Sequence, residues 1–198
     1  MSQGATVPAP AVAPALPYLS GYAPELLEQV RGLIAQGRLG EVLRQRHPDR
    51  HEVRTDRQLY DHVAALKTRY LRNAAPLSRV LYDSSQLARP DALLQTLGTH
   101  TTVSRVQGGK LKAKREIRIA SVFKDAPAAF LQMIVVHELA HLKEREHDRA
   151  FYALCTHMEP DYHQLEFDVR LWLTAMALER AGREAAPGVS PDAPVATP

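Results

Sequence analysis

The sequence predicts an α+β protein in which N-terminal helices precede a small antiparallel or mixed sheet and further helices follow it. Apolar residues first recur at the spacing of amphipathic helices, as far as Tyr70. Between Leu111 and Ile119 the apolar residues fall on odd positions and a run of lysines falls on even ones, which is the period of a strand with one solvated face. Beyond Pro127 a largely apolar segment again favours a helix.

Length and composition indicate one folded domain with proline-rich ends. A chain of 198 residues is long enough for one buried core and short for two full-sized domains. Residues 1–19 are rich in proline and alanine, and residues 182–198 are again rich in proline, so we expect both segments to be disordered. The single domain is therefore predicted to span residues 20–181.

Residues that favour helix ends delimit three N-terminal helices. The first is expected to begin at Pro24 and to end at Gly37, since glycine favours helix C-termini. A second, short helix covers Leu39–Arg46. Thr55 and Gln58 have the spacing of a capping box, in which each side chain bonds to the other residue's backbone, and they predict the start of the third helix.

The predicted sheet is built from segments rich in β-forming residues. Arg79–Asp83 and Thr99–Val106 have this character, and Gly108 with Gly109 marks a turn before the alternating lysine-rich segment. Strands joined by a tight turn pair antiparallel, so a small antiparallel sheet is expected here.

The helix after the sheet carries the motif His137-Glu138-Leu139-Ala140-His141. Asp125 and Pro127 predict its start, with the carboxylate as cap, and we expect it to continue through the motif. Four residues make slightly more than one turn, so both histidines project from one face and can bind one ion, while Glu138 lies beside them where a base would be required. The apolar run before the motif predicts burial, and buried imidazoles are costly unless something pairs with them.

A catalytic zinc site usually has three protein ligands and leaves one position for water. His147 is placed to be the third ligand if the helix ends soon after His141, because on a continuous helix its side chain would point away from the metal. Asp148 then caps the following helix. If His147 is instead a solvated residue of a charged turn, Asp161 or Glu166 is the substitute ligand.

The stretch His137–His147, with Ala150-Phe151-Tyr152 and Pro160-Asp161-Tyr162 after it, resembles the signature of the YgjP-like predicted metal-dependent hydrolases. These proteins have a zincin-like fold and are similar to the SprT and WLM metalloproteases. The resemblance therefore implies a zincin-like arrangement of sheet and active-site helix in this chain.

The resemblance also implies roles for particular residues. His137, His141 and His147 would bind zinc, and Glu138 would be the general base. The strand of Arg115–Ser121 would lie near the active-site helix and pair with an extended peptide substrate.

Two further groups of residues are candidates for substrate contacts. Tyr152, His157, Tyr162 and His163 lie close to the motif in sequence, and we take Tyr162 as the candidate donor that stabilises a developing oxyanion, although a tyrosine on an amphipathic helix also serves in packing. The lysine-rich face of the predicted strand is the second group. It consists of Lys110, Lys112, Lys114 and Arg118.

The lysine-rich face has two interpretations. It is either a solvated edge that prevents strand pairing or a binding site for an anion, such as the phosphates of a nucleotide or a nucleic acid. The segment contains no aromatic residue for base stacking, which weakens the case for nucleic acid. Some YgjP-like proteins are assigned nucleoside triphosphate hydrolysis, which keeps the nucleotide interpretation open.

Composition and hydropathy indicate a cytoplasmic protein. The formal charge of +3 is too small for a dedicated nucleic-acid binder. Cys155 is the single cysteine, so no internal disulfide can form, and its apolar surroundings predict a buried thiol. No apolar run has the length of a membrane span, and no secretory leader is recognised.

These predictions favour a zinc-dependent hydrolase, metallopeptidase-like, that acts on a peptide or protein. One alternative is a nucleoside triphosphate pyrophosphohydrolase of the YgjP-like type. Another is a non-catalytic, zinc-stabilised adaptor, although a structural zinc has four ligands and does not require a base such as Glu138. Zinc is preferred because a three-imidazole site suits it, with nickel, cobalt and manganese as alternatives, and the oligomeric state is left open.

Overall fold

The computed structural model describes residues 16–85 and 115–185. Within these ranges the protein has six α-helices and two β-strands, which confirms the α+β composition. The elements are α1 (Pro24–Ala35), α2 (Leu39–Arg46), α3 (Asp56–Tyr70), β1 (Leu77–Asp83), β2 (Arg115–Ala120), α4 (Ala128–Ala140), α5 (Arg149–Met158) and α6 (Tyr162–Ala185). Short 3-10 turns cover Pro17–Leu19 and Ser121–Asp125.

The described residues fall into two compact units. One comprises residues 16–42 and 170–185, and the other comprises residues 43–85 and 115–169. Helices α2 and α6 each continue from one unit into the other. The single domain over residues 20–181 and the two disordered ends stay predictions, since most residues of the two ends lie outside the described ranges.

Cap residues have the places that the sequence predicts. The side chain of Thr55 accepts a hydrogen bond from the backbone of Gln58, and the Gln58 side chain accepts one from the backbone of Thr55. Asp148 accepts hydrogen bonds from the backbone N–H groups of Ala150 and Phe151 at 2.9 and 3.0 Å. Each cap satisfies donors at a helix start that have no partner within the helix, and this local requirement explains why the sequence predicts both.

The two described strands pair in parallel, which corrects the expected antiparallel arrangement. Leu77 lies opposite Arg115 and Asp83 opposite Ala120. Parallel pairing needs a long connection, and residues 84–114 supply one. The glycine turn and the predicted strand Thr99–Val106 belong to that connection and lie outside the described residues. Ile117 and Ile119 are buried, as the alternating pattern predicts.

Helix α4 is enclosed by the rest of its unit. Every residue from Met133 to Ala140 is buried, and the helix contacts α3, β2 and α5. Consecutive buried positions cover the whole circumference of a helix, so α4 has no solvent-facing side in this part. In the described part of the chain, no helix combines the length and the apolar character that crossing a bilayer requires.

The start of α4 differs from the expectation for Asp125. No side chain caps the helix; the N–H of Ala128 donates instead to the carbonyl of Asp49 at 2.9 Å. Asp125 forms an ion pair with Arg54, and its carbonyl accepts from Arg50. A backbone partner thus replaces the expected carboxylate cap.

A fully buried carboxylate joins the end of α2 to α6. Asp168 accepts hydrogen bonds from Arg46 at 3.0 and 3.2 Å and from Gln164 at 3.0 Å, and it lies 2.8 Å from Nε2 of His47. Its exposure is 0%, so these partners replace all of its water contacts. A buried carboxylate with several donors contributes to stability only while the whole set remains intact.

Replacing Asp168 with alanine should lower the free energy of unfolding by about 1–3 kcal/mol, because Arg46, His47 and Gln164 lose their shared buried acceptor. Chemical denaturation measures this change. The matched control is Asp61→Ala, which removes an exposed ion pair with Arg57 and should cost about 0.5 kcal/mol or less. Equal losses in the free energy of unfolding for the two variants would contradict a stabilising role of the buried carboxylate.

Candidate metal centre

Three histidine side chains converge at the C-terminal end of α4. His137 lies in the last turn of the helix, His141 is its C-cap residue, and His147 lies in the following loop, directly before the Asp148 cap of α5. Nε2 of His137 lies 3.2 Å from Nε2 of His141 and 3.3 Å from Nε2 of His147. His137 and His141 are buried, and His147 is partly exposed.

The two separations measured from His137 suit a tetrahedral divalent ion, and the ligand atoms of all three histidines lie within 4.8 Å of one another. Zinc binds histidine nitrogen at about 2.0–2.1 Å, so two imidazole nitrogens on one tetrahedral ion lie about 3.3 Å apart. The separations measured from His137 agree with that value. Three imidazoles also leave one tetrahedral position for water or substrate, which is typical of catalytic rather than structural zinc.

The hydrogen bond on the other ring nitrogen of His141 determines its tautomer. Nδ1 of His141 lies 3.0 Å from the carbonyl oxygen of Glu144, and a carbonyl can only accept. Nδ1 therefore carries the proton and donates it, and in the neutral ring Nε2 has a lone pair that faces the cluster. This is the protonation state that a metal ligand requires.

Tyr162 has a different place from the expected oxyanion donor. Its hydroxyl lies 2.7 Å from Nδ1 of His137, on the opposite edge of the ring from Nε2. The side chain is fully buried. Its contact with Nδ1 places the hydroxyl away from the position where the three histidine nitrogens converge.

Phe151 packs against the whole triad, a role that sequence reasoning did not assign. Its ring centroid lies 5.1, 4.7 and 4.6 Å from those of His137, His141 and His147. The available signal was its position four residues after His147, in the first turn of α5. A buried phenyl ring at this place excludes water from one side of the imidazoles and restricts their rotation.

Glu138 is a buried carboxylate beside the triad. Its exposure is 8%, and among the described residues we find no hydrogen bond or ion pair to it. Burial raises the pKa of Glu138 to about 8. A divalent cation nearby would favour the ionised form, because opposite charge stabilises a carboxylate.

The substitute ligands that the sequence left open are not part of the cluster. The group of potential metal ligands found in the described residues consists of the three histidines alone, without Asp161 or Glu166. Asp161 is exposed, directly before α6. Cys155 is buried, as predicted, and burial raises the pKa of its thiol to about 12.

Of the four residues expected to bind an anion, the structure describes only Arg118. Lys110, Lys112 and Lys114 lie outside the described residues. Arg118 forms ion pairs with Asp83 at 3.2 Å and with Glu116 at 2.6 Å, so its charge is balanced within the protein.

Arg115, on the same strand, lies close to the histidine cluster in the fold. Its guanidinium donates to the carbonyl of Leu142 at 3.3 Å, one residue beyond His141. We find no acidic partner for Arg115 in the ranges that the structure describes. A half-buried cation without a carboxylate partner therefore lies at the end of α4.

Comparison with known proteins agrees with this geometry. Residues 38–170 match the family described as YgjP-like, metallopeptidase domain. The chain belongs to the YgjP-like family. It is 59% identical over 163 residues to the UTP pyrophosphatase of Escherichia coli (strain K12), and the match covers 82% of this chain and 95% of that protein. No solved structure matches with significance.

Membership of the YgjP-like family supports a hydrolase with a metal ion at the three histidines. The resemblance read from His137–His147 is thereby confirmed at the level of the family. The relative's name favours the pyrophosphohydrolase alternative over the peptidase that the sequence first favoured.

Replacing His147 with alanine should weaken zinc binding by at least about 100-fold, because a direct ligand contributes more than the hydrogen-bond partners of ligands do. Competition with a chromogenic chelator measures the affinity, and circular dichroism checks the fold. His157→Ala is the control, because His157 is an exposed histidine on α5. An unchanged affinity would remove His147 from the ligand set.

Proposed function

We propose that this protein is a zinc-dependent nucleoside triphosphate pyrophosphohydrolase that converts a triphosphate and water into a monophosphate and pyrophosphate. The observation that carries the hydrolase assignment is the convergence of three imidazoles beside the buried, unpaired carboxylate of Glu138. The nucleotide substrate is supported by the 59% identity to a relative named UTP pyrophosphatase. We further propose a zincin-like arrangement for the unit that contains the histidines.

The proposed ligands are His137, His141 and His147. A divalent ion at this position supplies Lewis-acid chemistry, because it lowers the pKa of a water molecule and polarises a phosphoryl group. Glu138 accepts a proton from the attacking water and returns it to the departing pyrophosphate. Water oxygen forms a bond to the α-phosphorus while the bond between the α- and β-phosphates breaks.

Substrate phosphates need cationic partners near the metal centre. Among the described residues Arg115 is one such cation, because its guanidinium donates to the carbonyl of Leu142, next to His141, and we find no acidic partner for it within those residues. An arginine fork can bind two phosphate oxygens at once. We propose Lys110, Lys112 and Lys114 as further phosphate ligands on sequence grounds, since they directly precede Arg115.

The second candidate function is a metallopeptidase. The observation that favours it is the description of the matching family as a metallopeptidase domain. The same metal ion and base would hydrolyse a peptide bond, since both reactions add water to a polarised electrophilic centre. The two candidates differ in the group that binds beside the metal, so substrate tests separate them.

Glu138→Gln should abolish hydrolysis and leave zinc binding intact. The amide has nearly the same shape but cannot accept the proton, so we expect kcat to fall by about 10²–10⁴-fold. Release of pyrophosphate from UTP measures the reaction, and metal analysis measures zinc content. Glu146→Gln is the matched control, because Glu146 is an exposed glutamate of the loop before His147 and should retain activity.

Parallel assays on casein distinguish the remaining interpretations. Cleavage of casein without turnover of UTP or other nucleoside triphosphates would favour the peptidase. Absence of both activities in the zinc-loaded wild-type protein would favour the adaptor.

Arg115→Gln should raise the KM for UTP by about 10-fold or more with a smaller change in kcat, because a charge-assisted hydrogen bond to substrate is lost. Steady-state kinetics at saturating zinc measures both constants. Arg118→Gln is the control from the same strand, since the charge of Arg118 is balanced by Asp83 and Glu116. Equal KM values for the two variants would exclude the assigned role of Arg115.

A further inference from the structure

The contact between Tyr162 and His137 joins two helices beneath the metal centre. Tyr162 is the first residue of α6, and His137 belongs to the last turn of α4. The tyrosine oxygen lies 2.7 Å from Nδ1. Tyr162 has an exposure of 0% and His137 of 1%, so water does not compete for this hydrogen bond.

When a cation is bound to Nε2 of His137, the hydrogen bond between Nδ1 and Tyr162 can have only one direction. Nε2 of His137 must offer its lone pair to the ion, so the ring proton resides on Nδ1. Nδ1 then donates and the tyrosine oxygen accepts.

The other buried histidine of the cluster, His141, is oriented by a hydrogen bond to the backbone. Nδ1 of His141 donates to the backbone carbonyl of Glu144, which can only accept. A tyrosine hydroxyl can also accept, so Tyr162 can serve Nδ1 of His137 as the carbonyl of Glu144 serves Nδ1 of His141.

We propose that Tyr162 is a positioning residue for the metal ion: its hydroxyl holds His137 in the tautomer and orientation that present Nε2 to zinc. The inference rests on the proposed metal centre but not on the substrate. The buried hydroxyl of Tyr162 then contributes to zinc affinity and does not stabilise an oxyanion. Partners of this kind typically change metal affinity by 10–100-fold.

Tyr162→Phe tests the inference, because it removes the hydroxyl and keeps the ring. We expect the zinc dissociation constant, measured by competition with a chromogenic chelator, to rise by about 10–100-fold. The absorption bands of the cobalt-substituted protein should shift, since the orientation of one ligand changes. At saturating zinc, kcat for UTP should stay within a few-fold of the wild-type value, whereas an oxyanion donor would lower it by about 10²-fold or more.

Tyr82→Phe is the matched control. Tyr82 is also buried in the same unit, and its hydroxyl donates to the carbonyl of Val53 at 2.8 Å, away from the histidines. Both variants lose one buried hydrogen bond, so both should lose similar stability, but Tyr82→Phe should bind zinc like the wild type. Equal zinc affinity in wild type, Tyr82→Phe and Tyr162→Phe would overturn the inference.

Nitrogen NMR of the zinc-free wild-type protein provides a second test if Tyr162→Phe does not fold. At a pH where the ring of His137 is neutral, we expect its proton on Nδ1, and a proton on Nε2 would overturn the inference. These measurements need no substrate, so they remain decisive even if UTP is not hydrolysed.

Discussion

The arrangement of the site depends on three imidazole nitrogens that lie closer together than neutral lone pairs favour. Nε2 of His137 has two such neighbours within 3.3 Å, and the proton on Nδ1 of His141 leaves a lone pair facing the cluster. Lone pairs repel one another unless a proton or a cation lies between them. The surrounding fold must therefore hold the rings in place, and a divalent ion relieves the repulsion.

Burial keeps the three imidazole rings close together, because the side chains cannot rotate toward solvent. Helix α4 is enclosed around its whole circumference, so its histidines cannot turn toward water. Phe151 restricts the rings from one side, and Tyr162 and the carbonyl of Glu144 orient two of them through Nδ1. The same low-dielectric surroundings strengthen the effect of a cation on Glu138, because electrostatic interactions are weakly screened there. The proposed hydrolysis would need both features, a rigid set of ligands and a carboxylate that responds to the metal.

Several elements were predictable because their causes are local. The capping box of Thr55 and Gln58 and the cap at Asp148 depend on residues two or three positions apart. The parallel pairing of β1 with β2 was not predictable in the same way, since it depends on the course of the chain over residues 84–114. The expected cap at Asp125 was also wrong, because Asp125 found an ion-pair partner distant in sequence.

The sequence by itself determined the pair His137 and His141, because four residues of helix bring two side chains to one face whatever the rest of the chain does. It also indicated the third histidine and the family, through a motif that is continuous along the chain. Only the tertiary structure decided that His147 returns to the same point, that Tyr162 lies behind His137, and that Arg118 pairs with Asp83 while Arg115 donates to the carbonyl of Leu142. Those contacts depend on how separate elements pack, and packing is a property of the whole unit, which no local spacing of residues records.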